Sequence, residues 1–144
     1  RGHMNRKRVL MACAVLTVIG GLQIARAQGA SLAAGVYTEE QSKRGMELYK
    51  AQCASCHGDD LKGNEIIPAL TGDTFTGNWK GKSVGDLFEK INMTMPALDP
   101  GSLTPEQTSD LVAHILSVAK YPAGKTALAT SMDALQQIKI DAPK

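Results

Sequence analysis

Aromatic side chains are scarce in this chain of 144 residues: one tryptophan, three tyrosines and two phenylalanines, 4 % in all. That excludes a core built mainly from large flat side chains. Cysteine is rarer still. Cys13 lies in an apolar N-terminal run, and only Cys53 and Cys56 follow it. A disulfide between those two would close a tiny loop and restrict the unfolded chain little, which excludes a disulfide-stapled fold. Histidine is limited to His3, His57 and His114. No internal repeat occurs, and no stretch alternates apolar with polar residues as a half-buried strand would.

A lasting excess of positive charge is also missing. The formal balance is 16 basic against 14 acidic residues, +2, but Arg1, Arg6, Lys7, Arg8 and Arg26 all stand before residue 28 and every acid stands after it. From Met4 the chain reads as a secretory signal: a cationic Asn5-Arg6-Lys7-Arg8, an apolar run of 17 residues from Val9 to Ala25, and the small-x-small step Ala25-Arg26-Ala27. A retained membrane anchor is the competing reading, but the run is shorter than the roughly 20 residues of a span and contains Gln23. Cleavage after Ala27 leaves eleven basic against fourteen acidic residues, a balance of −3. A global attraction to nucleic acid is excluded on that count. Lys62, Lys80, Lys82 and Lys90 form either a local basic rim or scattered solvated charges. The periplasm is the expected compartment, with no membrane span in the mature chain.

Residues 1–3 read as a cloning remnant, 4–27 as the signal, and 28–37, small, polar and aperiodic, as a flexible tail. Thr38 with Gln41 three residues on predicts a capping box, opening a helix through about Lys50 with Gly45, Met46 and Tyr49 on one side. From Gly58 to Lys82 the chain is rich in glycine, aspartate, asparagine and threonine and is expected to be irregular, as a loop wrapped around a large flat ligand would be. Ser83 and Asp86 mark the next N-terminus, and Val84, Leu87, Phe88 and Ile91 follow helical spacing to an end near Asn92. Asn92-Met93-Thr94 also matches a glycosylation acceptor, here read as coincidence. Thr104-Pro105-Glu106-Gln107 starts another helix, whose buried face is Leu111, Val112, Ile115, Leu116 and Ala119 and which Pro122 should stop. A short last helix is expected from Ser131, with Met132, Leu135 and Ile138 inward. The predicted class is all-α.

Against that background stands Cys53-Ala54-Ser55-Cys56-His57, two thiols and an imidazole within five positions. A redox dithiol belongs at the end of a strand in a βαβ unit, and the flanks here are helix and loop. A zinc site needs about four nitrogen or sulfur ligands, and beyond this trio the mature chain offers only His114, mid-helix among apolar neighbours. Covalent haem attachment uses all three: the thiols, one helical turn apart, each add to a porphyrin vinyl group, and the adjacent imidazole binds iron. Export agrees, since this attachment is made outside the bacterial cytoplasm.

The sequence resembles the class I cytochromes c from Tyr37 to Ile140. The matching stretches are Gly45-x-x-x-Tyr49-x-x-x-Cys53-x-x-Cys56-His57-Gly58, then Pro68-Ala69-Leu70-x-Gly72, then Met95-Pro96. Pro100-Gly101-Ser102-Leu103 and Pro122-Ala123-Gly124 are similar to the single-haem cytochromes associated with bacterial periplasmic dehydrogenases. The resemblance implies the cytochrome c fold, helices and long loops around one covalently attached haem c, with the domain at 38–122 and residues 123–144 as a C-terminal extension packed on it. It implies iron ligation by His57 and Met95, with the other ring nitrogen of His57 donating to the Pro68 carbonyl. Asn78 and Trp79 are implied at the haem, either hydrogen-bonding a propionate or padding the ring edge. Met95 is preferred to Met93, Met132 or His114, because Pro96 biases it toward an extended backbone on a loop. The family usually has an aromatic residue where this chain has His114, facing Gly45 of the first helix. The expected function is one-electron transfer between redox protein partners, a donor dehydrogenase and an acceptor oxidase or reductase. The alternative is a dedicated haem subunit of a dehydrogenase complex oxidising alcohols or inorganic compounds. Either way the chain is not expected to be an enzyme by itself.

Overall fold

A computed structural model describes residues 31–141; the expected remnant, the signal and the start of the tail lie outside the described residues. The described elements are a 3-10 turn at Leu32–Ala34 and six helices: α1 Glu39–Gln52, α2 Ala54–His57, α3 Gly72–Trp79, α4 Val84–Thr94, α5 Pro105–Val118 and α6 Met132–Gln136. Strand-like pairing among the described residues is limited to isolated bridges of Lys139 with Ser31 and Ser83. The chain is all-α, as expected.

The framework is α1 packed against α5. A Cβ on Gly45 would sit 2.5 Å from the Asp110 carbonyl carbon, closer still to its oxygen, and 2.9 Å from the His114 Cβ. Only glycine lets the two backbones meet there. Arg44 closes the same contact from outside with a bidentate pair to Asp110, at 2.8 and 2.7 Å. Thr38 caps α1 by accepting from the Gln41 amide at 3.2 Å, but the expected reciprocal half of the capping box is absent. The buried Gln41 side chain turns inward instead. It donates to Ser109 Oγ at 3.0 Å and to the Leu128 carbonyl at 3.1 Å, and accepts from the Leu128 amide at 2.7 Å. Buried polar groups have no water to fall back on, so these partners outweigh an exposed cap.

α4 and α5 each begin with a complete capping box, Ser83 with Asp86 and Thr104 with Gln107. α4 runs two residues past the predicted end. Asn92 is not a terminus: its amide nitrogen donates to the Leu103 carbonyl at 3.1 Å and to Thr108 Oγ1 at 2.9 Å, tying α4 to α5. α5 stops before Pro122 is reached. Lys120 takes a left-handed φ of 71°, and the Tyr121 amide bonds back to the Leu116 carbonyl at 3.0 Å, closing the helix end in the manner of a Schellman turn.

Two stretches depart from expectation. The span from Gly58 to Lys82, expected to be irregular, contains α3, because Phe75 is fully buried and Trp79, one turn on, packs beside it with ring centroids 6.3 Å apart. The exposed glycines and polar residues around that pair hide the pattern. Residues 31–37, expected to be part of a flexible tail, are anchored by buried Leu32 and Tyr37. The Tyr37 hydroxyl donates to the Tyr121 carbonyl at 2.6 Å, and its own carbonyl accepts from Gly124 at 2.7 Å, where Gly35 and Gly124 cross without side chains.

Past α5 the chain stays in the same apolar cluster through Leu128, Leu135, Ile138 and Ile140. It holds the start of α4 by its backbone: Val84 donates to Ile138 at 2.8 Å, Gly81 to Ile140 at 2.9 Å, and Ile140 to Lys82 at 2.9 Å.

Candidate cofactor site

α1 delivers the chain straight into the cysteine motif. The Cys53 amide continues the helix bonding to Tyr49 at 2.8 Å, and one turn later the His57 amide bonds to the Cys53 carbonyl at 2.9 Å, so Cys53, Cys56 and His57 share a single short helical segment. The following loop is fixed around it. Tyr49 donates its hydroxyl to the Gly58 carbonyl at 2.7 Å, and Gly63 donates to the His57 carbonyl at 2.8 Å.

All three motif side chains border a cleft of about 300 Å³. Leu87, Ile91 and Met95, at i, i+4 and i+8, form one wall; Leu111 and Ile115 of α5 form another. Pro68, Asn78 and Trp79 also border it. The lining is predominantly apolar and contains no aspartate or glutamate.

His57 is 8 % exposed, and its Nδ1 lies 3.0 Å from the Pro68 carbonyl oxygen. A carbonyl only accepts, so Nδ1 carries the proton and Nε2 the lone pair. Met95 is the C-terminal cap of α4, with φ −126° and ψ 151°, an extended backbone. Met93 is 64 % exposed and Met132 packs on the core from α6; neither borders the cleft. Cys56 is exposed, whereas Cys53 is half-buried, and burial, with Cys56 adding, pushes its thiol up to about 11. Trp79 packs on Phe75, and the Lys82 ammonium lies 4.8 Å from its ring centre.

His114 does not border the cleft. It fills the α1–α5 contact, its ring 5.4 Å from that of Tyr49 and tilted by 52°. Burial, and secondarily the Lys50 ammonium, hold its pKa below the usual imidazole range. Of the four lysines that could form a basic rim, Lys82 and Lys90 border the cleft. The apolar wall was more accessible: Leu87 and Ile91 share the helical spacing that ends on Met95.

Among the described residues no three His, Cys, Asp or Glu side chains converge as a bare metal site requires. The donor set is instead two thiols one turn apart, an imidazole of fixed tautomer and a thioether around an apolar space, which fits a flat apolar cofactor.

Residues 40–115, just over half of the chain, match the family cytochrome c oxidase, cbb3-type, subunit III. The chain belongs to that family. Membership makes it a cytochrome c domain, implies haem c and supports electron carrying. The site residues fit that cofactor. Over 105 residues the domain is 31 % identical to the fructose dehydrogenase cytochrome subunit of Gluconobacter japonicus, covering 66 % of this chain and 22 % of that protein. The chain therefore spans about a fifth of the length of that curated relative. Among solved structures it is similar to the sulfane dehydrogenase SoxCD of Paracoccus pantotrophus, with a TM-score of 0.49 and 18 % identity over 76 % of this chain and 62 % of that one. No described helix is long and apolar enough to cross a membrane.

Proposed function

We propose that this chain is a periplasmic single-haem cytochrome passing one electron at a time between redox proteins, its haem joined to Cys53 and Cys56 and its iron held by His57 and Met95. The observation that carries the reading is that these four side chains border one apolar cleft while Met93 and Met132 lie off it. When bound, haem c supplies a one-electron iron couple.

The chain's own work is binding, orientation and exclusion of water. The Pro68 carbonyl holds the Nδ1 proton of His57, which orients the ring and presents Nε2 as the ligating nitrogen. The Met95 thioether and the walls formed by Leu87, Ile91, Leu111 and Ile115 both favour the ferrous state, the first as a soft ligand and the second by lowering the local dielectric. With His57 and Met95 both holding the iron, a substrate would find no open position there, so the chain would act as a carrier and not as a catalyst by itself. Asn78 and Trp79 border the cofactor, as propionate donors or edge padding.

The test is extraction. Acid-acetone should leave the colour with the protein at one haem per chain, and colour moving into the solvent overturns the reading. Met95→Ala should abolish the weak long-wavelength thioether-to-iron band and lower the potential, with Met93→Ala leaving both nearly unchanged; the reverse pattern moves the ligand to Met93. A second reading, a fixed haem subunit of a dehydrogenase complex, is favoured by the likeness to a dehydrogenase cytochrome subunit. Size-exclusion of native extract separates the two, since a free carrier elutes as a small monomer.

A further inference from the structure

The cleft carries two positive charges and no negative one. Lys82 and Lys90 both border it, and neither belongs to an ion pair: those among the described residues are Arg44–Asp110, Lys50–Glu47 and Lys62–Asp60. Lys82 is exposed, but its backbone is fixed and its ammonium has a ring partner. Its amide donates to the Trp79 carbonyl at 3.0 Å, its carbonyl accepts from Ile140 at 2.9 Å, and its ammonium is set over the Trp79 ring. Lys90, exposed, borders the cleft from α4 along with Leu87 and Ile91. Two unpaired ammonium groups beside low-dielectric walls make a region of positive potential. An occupant complementary to it is apolar in body and acidic at an edge.

We infer that Lys82 and Lys90 are the charge partners of the two carboxylates that a haem carries at its edge, and that they hold the reduction potential up. The inference rests on the haem reading above. Each ammonium offsets negative charge near the iron, so removing one favours the ferric state. For charges on the order of 10 Å apart, effective dielectric constants between that of water and about 20 give a shift of roughly twofold to fifteenfold in the ferrous-to-ferric ratio at a fixed mediator potential.

The experiment is spectroelectrochemical titration of the holoprotein for Lys82→Gln, Lys90→Gln and, as a control, Lys120→Gln, whose lysine does not border the cleft. Both cleft variants should lower the ferrous-to-ferric ratio by roughly twofold to fifteenfold. The pH at which their potential begins to fall should move upward, because a carboxylate deprived of its cation titrates higher. Lys82→Arg and Lys90→Arg should restore both properties, which a purely structural role would not produce. Holoprotein that forms normally while either glutamine variant behaves like Lys120→Gln overturns this inference and leaves the haem reading standing. Failure of the wild-type chain to retain haem on extraction overturns the haem reading itself.

Discussion

Replacing Gly45 by alanine tests the central contact of the fold. The added carbon would stand 2.5 Å from the Asp110 carbonyl carbon, where ordinary carbon–carbon contact begins near 3.5 Å, so α1 and α5 must part by about 1 Å. The obstacle is backbone, which no rotamer change relieves, and overpacking of that kind costs about 3–4 kcal/mol, at or above the top of the usual range. Alanine returns about 1 kcal/mol of helix propensity. The net loss is about 2–3 kcal/mol, or roughly 10–15 °C in the unfolding midpoint of a domain this size. Gly77 supplies the control: it lies in α3, and nothing stands within 4 Å of a Cβ built there. Gly77→Ala should therefore raise the midpoint by a few degrees. Thermal unfolding of both holoproteins, followed by helix circular dichroism, reads the two signs directly. A Gly45→Ala protein as stable as Gly77→Ala would refute the close approach.

The buried His114 makes a pH prediction. Burial holds its folded pKa below that of the unfolded chain, so the unfolded state takes up a proton first as pH falls; the stability is fully present above about 6.5 and is lost as pH drops through that value toward the folded pKa. The groups that face it agree with that sign, since Lys50 and Tyr49 come from α1 and the nearby Asp110 is already paired with Arg44. Unfolding midpoints measured between pH 7.5 and 5 should fall for the wild type and fall less for His114→Phe; equal losses would remove His114 as the source. Gln41→Leu should cost about 2–4 kcal/mol in urea unfolding, because it strands the Leu128 amide and breaks two further buried bonds. A loss under about 1 kcal/mol would mean that the Gln41 cluster is not a structural tie.

What was legible in the sequence was whatever depends on local chemistry. The caps at Thr38, Ser83 and Thr104 and the apolar spacing of α4 and α5 place three helices within a turn of their ends, because both signals act over four residues. Long-range roles were hidden. Gln41 looks like a capping residue until Leu128 is beside it, and Leu32 and Tyr37 look like tail until Gly124 and Tyr121 receive them. At the site, Cys53, Cys56 and His57 announce themselves by spacing, and Met95 follows α4 into the cleft. Lys82 and Lys90 do not, since a lysine facing a cavity and a lysine facing water read alike in one sequence. α3 was missed because its case rests on Phe75 and Trp79 alone.

The meeting of Gln41, Ser109 and Leu128 also orders events in time. The first two side chains form the seat for the third, and they come from helices 68 positions apart, so the seat does not exist until α1 and α5 have docked. The segment at Leu128 is therefore expected to join late in assembly and to leave early in opening. Its amide should exchange with solvent deuterium through a partial opening that leaves α1 and α5 joined, at lower free energy than the amides of Leu111 and Ile115. α1 and α5 must meet first, and the strap that follows α5 records when they have met.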